Sequence, residues 1–92
     1  MEAAGDQLAT AHVYFELGSL AFHHAKHPQA RDYLERSLAL YRLAQDRLGE
    51  RRVLDRLGGI YIELGEEAKA LDCYQQAIVL GRNSGSRRTR DR

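Results

Sequence analysis

The chain has 92 residues, 14 of them Lys or Arg and 13 Asp or Glu, giving a formal net charge of +1. At that length it makes one domain that buries about 60 to 65% of its unfolded surface, and at that charge no overall field draws it to nucleic acid or an anionic membrane. A single cysteine, Cys73, rules out an internal disulfide and points to a reducing compartment, the cytoplasm; no apolar run approaches the roughly 20 residues of a membrane span, and no segment reads as a signal peptide.

Asp6 is a favourable N-cap, and the apolar spacing predicts a first helix from about Gln7 to Lys26. At about 100° per residue, Val13, Tyr14, Leu17, Leu20, Ala21 and His24 fall on one side, the expected packing face. His27-Pro28 breaks this helix, because a residue before proline is pushed out of the helical region while proline suits a first turn. The second helix is expected from Pro28 to about Leu43, with Ala30, Leu34, Ser37, Leu38 and Tyr41 inward. Asp46 repeats the cap, and a third helix carries Val53, Leu54, Leu57, Ile60, Tyr61 and Leu64 before Gly65 ends it. A fourth, from about Glu66 to Arg82, packs Ala70, Leu71, Tyr74, Ala77 and Ile78. From Ser84 onward only small polar residues and arginines remain, which predicts a disordered basic tail or the start of a further unit.

The two halves repeat one another. Asp6, Leu8, Val13, Leu17, Gly18, Ala30, Asp32, Leu40 and Arg42 recur at an offset of 40, as Asp46, Leu48, Val53, Leu57, Gly58, Ala70, Asp72, Leu80 and Arg82. A fixed offset means two copies of one supersecondary unit, here a helix pair. Gly18, Gly58, Ala30, Ala70 and Ala77 stand where the two helices of a unit must approach closely. Tyr14, Leu17, Gly18, Ala21, Ala30, Leu34 and Ser37, followed by Leu54, Leu57, Gly58, Tyr61, Gly65, Ala70, Tyr74 and Ala77, resemble the tetratricopeptide repeat. Its pattern is a bulky residue, then Leu-Gly, an aromatic, a turn glycine, and Ala, aromatic, Ala. The resemblance spans about Asp6 to Arg82. Here the period is 40 (Gly58 less Gly18) against the common 34, Ala25 replaces a turn glycine, and Arg42 and Arg82 occupy the places of the closing proline.

The resemblance implies an all-α fold, two antiparallel helix hairpins stacked as a short right-handed solenoid. Residues 1–5 would be a flank, 6–45 and 46–83 the two repeats, and 84–92 the tail or a third unit's beginning. It also implies a protein or peptide as partner and a concave groove lined by the first helix of each repeat. Opposite Leu17, that helix carries His12, Phe15, Ser19, Phe22 and His23; the counterparts are Arg52, Asp55, Gly59, Ile62 and Glu63, with Arg56 beside them. Two phenylalanines off the packing face suggest an aromatic wall for apolar anchors of a bound peptide or helix, and Gly59 leaves room for a ligand backbone. The family's carboxylate clamp for chaperone tails needs Lys and Asn where Phe15, Ser19 and Arg56 stand, so that ligand is disfavoured.

A solenoid usually needs about three repeats and polar caps, so the expectation is either an excerpt from a longer array or two chains that stack and cap each other, and self-association through uncapped ends is the alternative to a free groove. His23 and His27 lie four apart but have no third ligand, so no metal and no cofactor is expected. Cys73 has no paired His or Asp and reads as a packed residue. With no phosphate loop and no nucleophile motif, the chain reads as non-enzymatic. Arginines of the tail and Arg47, Arg51, Arg52 and Arg56 could touch phosphates, but Asp46, Glu50 and Asp55 interleave with them, leaving nucleic acid a distant third.

Overall fold

A computed structural model describes the backbone of residues 4–90 and the side chains of residues 5–82. Within it lie helices α1 (Ala4–His23), α2 (His27–Leu43), α3 (Arg47–Glu63) and α4 (Glu67–Arg90), with no strand among the described residues. The fold is all-α. α1 pairs with α2 and α3 with α4, and the hairpins join mainly through α2 against α3.

The three turns share one chemistry. Ala25, Gln45 and Gly65 each take a left-handed φ, of 60°, 59° and 80°. At each, the next residue's N–H reaches back five positions (Lys26 to Ala21, Asp46 to Tyr41, Glu66 to Tyr61) and the left-handed residue's own N–H reaches back three. This is the Schellman closure, which satisfies carbonyls that a helix end leaves free. It stops α1 at His23, short of the expected Lys26. Asp46 caps α3 as expected, its carboxylate accepting from the Gly49 N–H at 3.2 Å. Asp6 does not cap α1: the helix has begun by Ala4, and Asp6 is a first-turn acid that favours the positive end of the dipole. α4 continues to Arg90, past the expected end at Arg82, so the backbone of residues 84–90 extends the helix. No proline interrupts it there, and a helical Gly85 costs only about 1 kcal/mol. The expected tail's residues 91–92 lie outside the described residues.

Small residues set the crossings. A Cβ on Gly18 would stand 2.6 Å from Leu34 Cγ, and one on Gly58 2.6 Å from the Tyr74 ring. A Cβ on Gly49 would meet the Tyr41 ring, so the α2–α3 crossing is equally tight. Ala11, Ala21, Ala30, Leu34, Tyr41, Val53, Leu54, Leu57, Ile60, Tyr61, Ala70, Cys73 and Ala77 form the core. Ser37, fully buried, donates to the Ala11 carbonyl at 2.7 Å and so ties α2 to α1 without leaving a polar atom unpaired.

The expected packing face of α1 needs correction. Ala21 is buried, but Val13, Leu17 and Leu20 are exposed, as is His24. α1 turns the small residues Ala11, Gly18 and Ala21 to α2 and leaves the larger Val13, Leu17 and Leu20 on its outer side, while Tyr14 stacks on Tyr33. Likewise Leu71 and Ile78 on α4 stand in the open.

Candidate functional site

α1 and α3 lie side by side and bring the two halves of the expected groove together. Arg56 crosses between them: its Nη1 donates to Ser19 Oγ at 3.0 Å, and its guanidinium lies 5.2 Å from the centre of the Phe15 ring. A cation over an aromatic face at that distance is attracted by the ring's quadrupole. Phe15 is therefore half-buried under Arg56 and packed on the core. Phe22 is half-buried too, with the His27 ring edge-on to it at 5.4 Å. The aromatic wall expected from the sequence is thus largely covered: the wheel placed these rings away from α2 but could not show that α3 and the first turn supply their cover.

What the α1–α3 face presents is polar and charged side chains. His12 and Glu16 pair at 3.5 Å, both exposed, and His23, Arg52, Asp55, Arg56 and Glu63 are exposed around them. Gly59 is half-buried, and a Cβ there would meet nothing nearer than the Tyr74 hydroxyl at 3.9 Å. Ile62 is the apolar member left in the open. It opens into a cleft of about 300 Å³ between α3 and α4, lined by Ile62, Glu67, Ala70, Leu71 and Tyr74. Sequence reasoning placed Ile62 on the groove but assigned Leu71 to the core and so missed the cleft.

Other polar groups tie the helices together. Arg42 Nε donates to Glu50 at 2.9 Å and its Nη2 to Gln76 at 2.9 Å, and Gln76 donates to Asp72 at 2.9 Å, a chain that ties α2, α3 and α4. Tyr61 Oη donates to Glu35 at 2.6 Å across the hairpin junction. Burial, then that carboxylate, pushes the Tyr61 phenol well above its ordinary range. Burial pushes the Cys73 thiol up as well, so it is not held as the reactive thiolate. The arginines of α3 do not form one stripe: Arg51 lies against Gly81 of α4 while Arg56 reaches the opposite way to α1. Among the described residues no three His, Cys, Asp or Glu side chains gather as a metal site would need, and no helix is long and apolar enough to cross a membrane.

The family profile of the tetratricopeptide repeat matches residues 7–82. Neither a search of curated proteins nor one of solved structures returns a match.

Proposed function

The chain belongs to the tetratricopeptide repeat family, and from that premise we propose a non-catalytic protein-binding module, an adaptor or scaffold that holds a peptide or helix along the α1–α3 face. The observation that carries the reading is the cleft at Ile62, Ala70, Leu71 and Tyr74, which is apolar and carries the exposed Glu67 in its lining, with the exposed Glu63 next to Ile62 in the chain. A helix with apolar side chains three or four apart would seat them in the cleft, and its charged flanks would choose orientation against those side chains. The buried, lone Cys73 suits a reducing compartment such as the cytoplasm.

Selection of a displayed random-peptide library on the immobilised chain tests this, followed by fluorescence anisotropy with a selected peptide. Ile62→Asp with Leu71→Asp should weaken binding at least about tenfold, the scale of losing buried apolar anchors. An unchanged affinity, or no enrichment at all, would remove the reading. A second reading, association with another copy, is favoured by the apolar residues exposed on α1 and α4.

A further inference from the structure

The repeat gives each exposed residue a counterpart whose surroundings are known. Val13, Leu17 and Leu20 are 54, 38 and 54% exposed, whereas Val53, Leu57 and Ile60, forty positions on, are 0, 2 and 1% exposed. α3 differs from α1 in having a preceding hairpin against it, so what covers Val53, Leu57 and Ile60 is the back of that hairpin. The other end shows the converse. Leu71 and Ile78 are 62 and 55% exposed, while their counterparts Arg31 and Leu38 are half-buried in the hairpin that α3 packs against; Ile62, 50% exposed, borders them, and Phe22 at its place is covered by His27 of its own hairpin. Among the described residues the repeat thus makes one such junction, and the same two faces are exposed on α1 and on α3–α4.

We infer that the occupant of the Ile62–Leu71–Ile78 face is the α1 face of a second copy, joined head to tail in the register of the internal α2–α3 junction. This occupant presupposes the docking role proposed for the cleft. Val13, Leu17 and Leu20, spaced four and three apart, form the apolar row that such a cleft takes. Gly81 of one copy falls opposite Ala9 of the next, as Tyr41 meets Gly49 inside the chain. One contact is reversed: the place of Arg56 over Phe15 and Ser19 is taken by Glu16 against Asp55 and Gly59, two like charges. A head-to-tail contact does not close on itself in pairs, so growth is open-ended and weakened by that repulsion.

Sedimentation velocity tests the register with two double variants, Leu17→Glu/Leu20→Glu and Leu71→Glu/Ile78→Glu, each altering exposed side chains and checked for helicity. Wild type should gain mass steadily with concentration. Each variant alone should stay at the 10.5 kDa chain mass, and their equimolar mixture should stop at twice that mass, since one intact junction remains. Glu16→Arg should strengthen wild-type association about fivefold by meeting Asp55 with a cation. A wild type that stays monomeric overturns the inference, and if the peptide selection still succeeds the docking role survives without it. Association that persists in either variant, a mixture that fails to pair, or weakening by Glu16→Arg overturns the register while leaving self-association standing.

Discussion

Gly18→Ala is the substitution that separates packing from helix propensity most cleanly. Alanine is the better helix former by about 1 kcal/mol, so an unconstrained glycine should be improved by the change. At Gly18 the new methyl would stand 2.6 Å from Leu34 Cγ, 2.8 Å from Leu34 Cδ2 and 3.3 Å from the Ala30 carbonyl oxygen. Leu34 is fully buried and the carbonyl is backbone, so neither can retreat without moving α2. Overpacking of this kind costs about 1 to 3 kcal/mol, and the lack of any yielding neighbour places it in the upper half. The net loss is then about 1 to 2 kcal/mol. Gly59→Ala is the control, because its methyl would meet only the Tyr74 hydroxyl at 3.9 Å, and it should gain up to about 1 kcal/mol. Gly58→Ala belongs between them: its neighbour is the Tyr74 ring, which borders the open cleft and can swing aside. Urea titrations followed by far-ultraviolet circular dichroism, at low protein concentration, should put Gly18→Ala about 1 to 3 kcal/mol below Gly59→Ala with a common m-value. The matching gap in Tm is at least about 4 °C. Equal stabilities, or Gly18→Ala the more stable, would refute the close-crossing argument.

Three further outcomes follow from the same structure. Ala25→Gly and Gln45→Gly should each stabilise by about 0.5 to 1 kcal/mol, because both residues hold a left-handed φ that costs a side chain energy; lower urea midpoints would show that the turns are held otherwise. Leu57→Ala should cost about 2 to 5 kcal/mol, and Leu17→Ala, at the same place in the other repeat but exposed, about 1 kcal/mol; equal losses would mean that Leu17 is covered in the dilute protein. Tyr61 holds its proton above the ordinary tyrosine value of 10.0 in the folded state, so its stabilisation is whole below about pH 10 and is lost as pH rises further. Tyr61→Phe should flatten that alkaline decline, and an unchanged slope would place the decline elsewhere.

Much of the fold was legible because the local signals agree with one another. Asp46 and Gly65 mark helix ends by chemistry that acts within a few residues, and Gly18, Gly58, Ala30, Ala70 and Ala77 announce close crossings whatever lies beyond them. The repetition itself made the hairpin plan readable. The surfaces were less so. A helical wheel identifies the side on which Val13, Leu17 and Leu20 fall, but whether that side is core depends on a neighbour, and among the described residues the second repeat has one while the first leaves that side exposed. Phe15 and Phe22 failed for the opposite reason: the cover of Phe15 comes from Arg56, 41 residues away in the chain (56 less 15), and that of Phe22 from His27 across a turn. A charged residue whose guanidinium shields a ring leaves no mark in hydropathy. The expected disordered tail met the weakest signal of all, since polar residues without proline specify neither order nor its absence.

The central claim is that copies of this chain associate through the two faces that its repeat covers once, inside, and exposes on α1 and on α3–α4. Amide and methyl chemical shifts recorded from dilute to concentrated protein test it most directly. The account predicts concentration-dependent shifts at Val13, Leu17 and Leu20 together with Ile62, Leu71 and Ile78, while Val53, Leu57 and Ile60 stay fixed. Shifts confined to one end, or none at either, would contradict it.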